Sequence, residues 1–221
     1  MSIKDLPFFC SWSGGKDACL ALYRALRAGG KPGLLLTMLA ETGTETRAHG
    51  LPREVIQKQA LALGIPLVTR SATWGDYEQV FLSALTQFKQ EGIQAGVFGD
   101  IDLQEHRAWV EKVCASAGLR SFLPLWQATR YELLREFIEA GFQATIISVR
   151  EGVLDKSFLG KTLDWQVIAE LQEQGIDPSG EQGEYHTVVT AGPIFSFPIR
   201  LALKQQIPRD GHWQQEVAVL E

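Results

Sequence analysis

The chain has 221 residues, 45% of them hydrophobic, which is enough to bury a full core without disulfides or structural metals. Its 26 acidic and 21 basic residues give a net charge of -5, and the lack of a basic run argues against a nucleic-acid or anionic-membrane partner. Three widely spaced cysteines form neither a disulfide framework nor a zinc motif, and no apolar stretch is long enough to span a bilayer. We therefore expect a cytoplasmic protein with reduced thiols.

The first predicted element is a buried strand at residues 8–10, followed by a turn at Gly14 and Gly15 and a helix that begins at Asp17. Glycines let the backbone approach a ligand closely, and the first amides of a helix have no partner within it. These amides and the positive helix end favour a phosphate. Lys16 adds a positive charge, and Ser13 offers a hydroxyl. The pattern predicts an anion-binding loop in which Lys16 is exposed.

Strand and helix patterns then alternate along the chain. Further strands are predicted at 34–39, 66–69, 95–98, 120–123 and 144–149, and further helices at 53–63, 76–91, 103–117 and 130–140. This alternation predicts an α/β fold with a doubly wound, mostly parallel sheet and helices on both faces, in which 144–149 is a central strand.

The last third of the chain has a different pattern. A helix at 165–174 is followed by strands predicted at 187–190, 199–203 and 213–220. We interpret this part as a small α+β C-terminal lobe. The predicted division is a nucleotide-binding domain at 1–150 and a lobe at 151–221.

Polar residues follow two of the strands at the edge where open α/β sheets bind their ligands. His49 lies in the loop 41–50, where a second substrate could approach, although packing within the loop is an alternative. Asp100 follows Gly99 after the strand 95–98 and could bring a carboxylate to Mg²⁺ or to a reacting amine. We assign the N-cap of the next helix to Asp102.

The segment 180–187 is the third informative stretch. It gathers Gly183, Glu184, Tyr185 and His186 in a polar sequence that carries more reactive groups than a turn requires. A solvated loop is the alternative interpretation. As a metal motif it is weak, because no second histidine lies nearby.

The string Ser13-Gly14-Gly15-Lys16-Asp17 resembles the PP-loop of the ATP pyrophosphatases, which split ATP between its α- and β-phosphates. It fits neither the P-loop nor the Rossmann pattern. Members of that class usually have serine after the aspartate, where this chain has Ala18. The difference affects one phosphate or metal contact rather than the loop.

Along nearly its full length the chain resembles the diphthine–ammonia ligase family. The matching features are the PP-loop, the loop of His49, 99–101, 124–126, 157–160 and 180–187. The resemblance implies that ATP adenylates the carboxylate of diphthine, a modified histidine of elongation factor 2, and that ammonia then displaces AMP.

The resemblance also implies roles for individual residues. ATP would be bound by Ser11, Ser13, Gly14, Gly15, Lys16, Asp17 and Gly99; Lys16, Asp17, Asp100 and Glu184 would be catalytic; and His49, Gly183, Glu184, Tyr185 and His186 would contact the acceptor. The cofactors would be ATP and Mg²⁺, with Asp17 as the metal ligand. Partners would be ammonia and a carboxylate acceptor, either diphthine on elongation factor 2 or a small molecule, and a homodimer is left open.

Two other functions stay open at this point. One is a different ATP pyrophosphatase reaction on a small molecule or tRNA, although the lack of a cysteine pair and of a basic face argues against tRNA thiolation. The other is a non-catalytic ATP-binding sensor, which would not need the segment 180–187.

Overall fold

The structure is a computed structural model that describes residues 2–220. Its strands are β1 (Pro7–Ser11), β2 (Lys31–Leu39), β3 (Leu67–Ser71), β4 (Ala95–Val97), β5 (Arg120–Phe122), β6 (Gln143–Arg150), β7 (Tyr185–Ala191), β8 (Leu201–Arg209) and β9 (His212–Val219). Its helices are α1 (Lys16–Arg27), α2 (Arg53–Leu63), α3 (Tyr77–Gln90), α4 (Gln104–Ser116), α5 (Arg130–Glu139) and α6 (Trp165–Glu173). A short 3-10 helix spans Lys156–Phe158.

The chain divides into two compact units that interleave in sequence. The first contains the chain up to Ser13, Asp17–Arg53 and Gly64–Ala128. The second contains Gly14–Lys16, Glu54–Leu63 and the chain from Thr129 onward. The boundary therefore passes through the predicted anion-binding loop, and the segment Gly14–Lys16 belongs with the C-terminal part of the chain.

The first unit is built on a five-stranded parallel sheet with the order β3-β2-β1-β4-β5. The chain moves outward from β1 to β3 and then returns to the other side of β1 with β4. The order reverses between β1 and β4, so this is the topological switch point at which such sheets bind ligands. The two loops that leave these strands are those that contain Ser13 and Gly99.

Helices cover both faces of this parallel sheet, as predicted. On one face Phe9 packs with Phe81 and Phe88 of α3 and with residues of α4 in one buried cluster. Cys10, the next residue of β1, points to the opposite face, where its Sγ lies 4.0 Å from the carbonyl oxygen of Ala18 in α1. Successive residues of a strand point to opposite faces, so a run that is buried throughout requires a helix layer on each side.

The second unit contains a four-stranded antiparallel sheet with the order β7-β6-β9-β8. The prediction that 144–149 is a central strand of the parallel sheet is wrong, because β6 pairs with β7 and β9 in this second sheet. The apolar, β-branched sequence of β6 suits a buried strand of either sheet, and its partners come from much later in the chain. The fold is thus a parallel α/β sheet plus a separate antiparallel sheet.

Local signals explain most helix boundaries in both units. The helix α2 has the predicted bounds, between Pro52 and Gly64. At α5 the hydroxyl of Thr129 accepts a hydrogen bond from the amide of Glu132, and at α6 the carboxylate of Asp164 accepts one from Val167. Among the helices of residues 2–220, none combines the length and apolar character that crossing a membrane requires.

Candidate active site

The turn after β1 adopts a backbone conformation that favours glycine. Gly14 has a φ of 83°, in the left-handed region that side chains disfavour. Its carbonyl oxygen accepts two hydrogen bonds, from the amide of Val189 at 2.9 Å and from the side-chain Nε2 of Gln59 at 3.0 Å. The turn is therefore fixed by β7 and α2 within the second unit.

Lys16 differs from the sequence-based expectation in its burial. It was expected in an exposed loop, but it is buried, with only 7% of its surface exposed. Its main-chain amide, at the first residue of α1, donates a hydrogen bond of 3.1 Å to the hydroxyl of Thr187. Its Nζ lies 5.8 Å from the centre of the Tyr185 ring, within the range of a cation–π contact.

In the first unit the loop after β4 packs against the backbone of the first turn of α1. A Cβ placed on Gly99 would lie 2.8 Å from both the carbonyl carbon of Asp17 and the amide nitrogen of Ala18. The structure thus brings Gly99 and Asp17 together. Ser11 ends β1, and Ser13 follows two residues later, both partly buried.

Asp100 is the next residue after Gly99, and its carboxylate pairs with a histidine. Its Oδ1 lies 3.3 Å from the Nδ1 of His106, whose side chain is 60% exposed, while that of Asp100 is 22% exposed. A carboxylate with a neighbouring imidazole can hold a metal ion or an amine, or exchange a proton. The prediction that Asp102 caps the following helix is wrong, because α4 begins at Gln104 and the N-cap position is occupied by Leu103.

The loop after β5 joins this region of the first unit. The amide of Gln127, a non-glycine residue with a φ of 59°, donates a hydrogen bond of 2.7 Å to the carbonyl of Ile101. The neighbouring Trp126 packs under the guanidinium of Arg107, 5.0 Å from its ring centre. Within residues 2–220, its Nε1 is the buried side-chain nitrogen for which the structure gives no hydrogen-bond partner.

His49 lies in the loop between β2 and α2, partly buried, in the first unit. Hydrogen bonds within the loop and to the end of β3 hold it: the hydroxyl of Thr46 accepts from the amide of Leu51, and the guanidinium of Arg47 donates to the carbonyl of Ala72, just after β3. The structure thus places His49 in a loop that is held by hydrogen bonds.

The segment 180–187 is an ordered structure in the second unit rather than a solvated loop. Asp177 pairs with Arg130 at 2.5 Å and accepts hydrogen bonds from the amide and hydroxyl of Ser179. Partial burial acts to raise the pKa of Asp177, but the Ser179 hydrogen bonds and the Arg130 charge outweigh it and hold this pKa below its usual value of 3.8. The hydroxyl of Tyr185 donates a hydrogen bond of 2.6 Å to the carbonyl of Pro178, which ties this network to β7.

Glu184 is buried, with 7% of its surface exposed, immediately before β7. Its Oε2 accepts a hydrogen bond of 3.0 Å from the amide of Gln182, so one carboxylate oxygen supports the local turn. Gly183 has a φ of 79°, and a Cβ there would lie 2.7 Å from the guanidinium of Arg150, which donates to the carbonyl of Gln182. These contacts hold residues 182–184 in a defined conformation.

His186 stacks on a second histidine, His212, so the expectation that no second histidine lies near this segment is wrong. The ring centres of His186 and His212 are 6.0 Å apart, with an interplanar angle of 29°. The Nε2 of His212 lies 3.3 Å from the carbonyl oxygen of Gly183. His212 begins β9, so the antiparallel sheet brings it to the predicted acceptor segment.

Gln59 and Thr187 are the other residues that the candidate site adds. Gln59 is completely buried, and the sequence held a signal, since it lies three and four residues after Ile56 and Val55 on the apolar face of α2. A polar residue in that position needs hydrogen-bond partners. Thr187 lies in the segment 180–187, but β propensity alone accounts for a threonine in a strand.

The three cysteines do not fit a catalytic role. All are buried and unpaired. Burial raises the pKa of the Cys10 thiol and the Cys114 thiol, the latter to about 12. Burial, followed by the charges of Cys10 and Asp17, also raises the pKa of the Cys19 thiol. Neutral thiols are poor nucleophiles, so these side chains act as core residues.

The parallel sheet carries the Ser-Gly-Gly-Lys-Asp loop at the point where its strand order reverses, in agreement with the predicted doubly wound α/β fold. Family models described as the diphthamide synthase N-terminal domain and the diphthamide synthase C-terminal domain match residues 8–121 and 129–220. The chain therefore belongs to the diphthamide synthase family, which confirms the resemblance drawn from its motifs.

Curated relatives agree with this assignment. A human protein named diphthine–ammonia ligase is 31% identical over 209 residues, covering 83% of this chain and 78% of the relative. A fission yeast protein of the same name is 27% identical over 238 residues, and the chain spans only 38% of its length. A solved structure, titled as a predicted subunit of tRNA methyltransferase from Methanocaldococcus jannaschii, has a TM-score of 0.46, 17% identity, and coverage of 85% of this chain and 98% of that one. That likeness is too low to bear on function.

Proposed function

We propose that this chain is an ATP-dependent ligase that converts the carboxylate of diphthine on elongation factor 2 into an amide, using ammonia. ATP would be split into AMP and pyrophosphate. The proposal rests on membership of the diphthamide synthase family, whose curated relatives are named diphthine–ammonia ligases.

The reaction would proceed in two balanced steps. An oxygen of the acceptor carboxylate attacks the α-phosphorus of ATP, and the bond from that phosphorus to the leaving pyrophosphate breaks. The nitrogen of ammonia then attacks the carbonyl carbon of the acyl adenylate, and the bond from that carbon to the AMP oxygen breaks. The nitrogen loses a proton, and the products are the amide and AMP. Holding the departing phosphate in a prearranged set of donors would supply most of the rate enhancement.

The phosphates would be held by the loop after β1, through Ser13, Gly14, Gly15 and Lys16. The left-handed turn at Gly14 and the start of α1 at Lys16 support this role, because a glycine turn followed by a helix N-terminus is a common phosphate-binding arrangement. Ser11, at the end of β1, and Gly99, in the loop after β4, would complete the nucleotide site. The ammonium of Lys16 would neutralise charge that develops on the leaving group.

Asp17 and Asp100 would serve Mg²⁺ and the incoming ammonia. Mg²⁺ is commonly bound through one or two carboxylates together with substrate phosphates, so these two residues fit it without a larger cluster of protein ligands. When bound, the ion would offset phosphate charge. The packing of Gly99 on the backbone of Asp17 supports the assignment, because it brings the chain next to Asp100 close to the helix start.

The acceptor would contact Gly183, Glu184, Tyr185 and His186, with His49 contributing from its loop. The structural observation that supports a role for this segment beside the nucleotide loop is that Lys16 and the segment share one compact unit. The amide of Lys16 is bonded to Thr187, and its ammonium lies against the ring of Tyr185. A loop that only sensed ATP would not need contact with a second polar segment.

The decisive experiment traces an isotopic label from the acceptor carboxylate to AMP. The protein is incubated with Mg-ATP, ammonium and elongation factor 2 that carries diphthine with heavy oxygen in its carboxylate. We expect acceptor-dependent AMP and pyrophosphate, transfer of one heavy oxygen to AMP, and an amide on the factor. Production of ADP, or AMP without the label, would contradict adenylation of the carboxylate. Nucleotide binding without turnover under these conditions would favour the sensor.

A further inference from the structure

The segment Gly14–Lys16 is held in place by side chains that lie far from it in sequence. Gln59 donates from one Nε2 to two carbonyl oxygens, those of Gly14 at 3.0 Å and of Val189 at 2.7 Å. The amide of Val189 also donates to Gly14 at 2.9 Å. One buried amide group therefore joins the turn, the helix α2 and the strand β7.

Thr187 holds the other end of the segment. Lys16 is the first residue of α1, and the first amides of a helix lack partners within it. The hydroxyl of Thr187 accepts the Lys16 hydrogen bond at 3.1 Å, and Thr187 itself is only 2% exposed. It thus acts as a helix cap supplied from a strand 171 positions away.

These contacts constrain the turn at both ends. The carbonyl of Gly14 receives two donors, which fixes the orientation of the peptide between Gly14 and Gly15. The bond from Lys16 to Thr187 fixes the start of α1 and with it the direction of the lysine side chain. A loop that takes part in catalysis must be placed to within a fraction of an ångström. Hydrogen bonds that fix the conformation of the loop should therefore affect how well it binds a ligand.

We propose that Gln59 and Thr187 are positioning residues that hold Gly14–Lys16 in the conformation that binds the phosphates of ATP. The inference rests on the nucleotide role given to this loop under the proposed function. Neither residue needs to touch ATP, since each acts through the main chain of the loop.

The test uses paired variants of Thr187. Thr187→Val keeps the shape of the side chain and removes the acceptor, whereas Thr187→Ser keeps the hydroxyl. We expect ATP affinity, measured by titration, to fall about tenfold in Thr187→Val and to stay within about threefold in Thr187→Ser. Thr190→Val is the matched control, because Thr190 lies on the same strand and its hydroxyl donates to Gln143 instead. It should leave ATP affinity unchanged.

Gln59 is tested in the same way. Gln59→Leu should lower ATP affinity at least about tenfold, because two carbonyls lose a buried donor. The control is Gln215→Leu, since Gln215 is also buried in the second unit and its Nε2 donates to the carbonyls of Lys204 and Glu216. The free energy of unfolding is measured for every variant. A loss of stability with unchanged ATP affinity in the folded Thr187→Val protein would overturn the proposal.

The titration separates this inference from the proposed reaction. A wild-type protein that binds ATP but forms no acceptor-dependent AMP would refute the ligase and leave the positioning roles standing if the Thr187 pair differs as expected. A wild-type protein that forms AMP, with equal ATP affinity in Thr187→Val and Thr187→Ser, would refute the positioning roles alone. A wild-type protein without ATP affinity would refute both.

Discussion

Gly99 lies so close to Asp17 that a Cβ on Gly99 would come within 2.8 Å of the Asp17 carbonyl carbon. Backbone atoms cannot move aside as a flexible side chain can, so only glycine fits at this position. The contact joins the loop after β4 to the start of α1, which follows the neighbouring strand β1, at the switch point of the sheet where a ligand is expected. The requirement for glycine is therefore one of close packing rather than of a turn.

Gly99→Ala tests that contact. We expect the added methyl group to lower the free energy of unfolding by about 1–3 kcal/mol, because it is forced against fixed backbone atoms. Urea unfolding would measure the change. Gly75→Ala is the control, since a Cβ there meets only the hydroxyl of Thr73 at 3.7 Å, and it should change stability by less than about 0.5 kcal/mol. Equal stability of the two variants would show that the loop after β4 can move away from the start of α1 without cost.

Lys16→Ala should lower ATP affinity at least about tenfold and abolish AMP formation, because the loop loses its cation. Lys16 is buried against Tyr185, so we also expect a stability loss of about 1 kcal/mol, larger than for a surface lysine. Nucleotide titration and a product assay would measure both effects. Lys31→Ala, at a lysine that is 65% exposed and pairs with Asp5, should affect neither property. Unchanged ATP affinity in Lys16→Ala would remove the lysine from the phosphate site.

Glu184→Gln should separate the acceptor role from the nucleotide role. The glutamine oxygen can still accept the hydrogen bond from Gln182, so the turn should persist, and ATP affinity should stay within about threefold, roughly 0.7 kcal/mol. Amide formation should fall at least about a hundredfold, roughly 2.7 kcal/mol of transition-state stabilisation.

The assay pairs nucleotide titration with amide formation, and Glu181→Gln in the same stretch is the control. Loss of both properties in Glu184→Gln would make Glu184 a structural or nucleotide-binding residue. Loss of neither would leave Glu184 with only its local hydrogen bond.

Replacing Cys10, Cys19 and Cys114 together by alanine should retain AMP formation, because buried thiols with raised pKa values cannot supply a thiolate. The folded wild-type protein should also resist alkylation by iodoacetamide near pH 8, whereas the denatured protein should react at all three thiols. Loss of activity in a folded triple variant would restore sulfur chemistry as a hypothesis.

Asp177 should contribute to the acid sensitivity of the second unit. Its pKa is lowered in the folded state, so folding favours its carboxylate form. The contribution is complete above the unfolded pKa of about 4 and is lost as the pH falls through the lower, folded value. We expect Asp177→Asn to flatten this part of the stability curve in urea unfolding between about pH 5 and pH 2.

Asp210→Asn is the control for the pH dependence of stability at low pH, because the side chain of Asp210 is 95% exposed. A curve for Asp177→Asn with the same slope as that of the wild-type protein would show that the contacts of this carboxylate with Ser179 and Arg130 do not stabilise the fold. Loss of the ion pair between Asp177 and Arg130 should also disturb Tyr185, because the hydroxyl of Tyr185 is bonded to the neighbouring Pro178.

Much of this structure could be predicted from residues that act on their immediate neighbours in the sequence. The helix α2 has the predicted bounds because Pro52 and Gly64 act on their immediate neighbours. The glycine loop at Gly14 was also predictable, since a strand, a glycine pair and a helix start follow one another in sequence. The fold class and the family could be inferred from such short-range patterns.

The errors have a common physical cause, which is that the deciding partner is remote. The run in β6 is equally suited to either sheet, and its pairing with β7 and β9 determines which one it joins. Lys16 is buried because Tyr185 and Thr187 approach it, and neither lies near it in the chain. The shift of the α4 cap from Asp102 to Leu103 is a smaller error of the kind expected at helix ends.

The bond between Lys16 and Thr187 also bears on the order of events during synthesis. The ribosome releases the Ser-Gly-Gly-Lys sequence early, and the parallel sheet of the first unit is complete by residue 122. The turn, however, acquires its supports only when β7 has emerged, more than sixty residues later. The bond between Lys16 and Thr187 closes a loop of 171 residues, so it cannot form until Thr187 has been synthesised. Closing so long a loop is also entropically costly and slow. A nascent chain should therefore fold its first sheet well before it can hold a nucleotide.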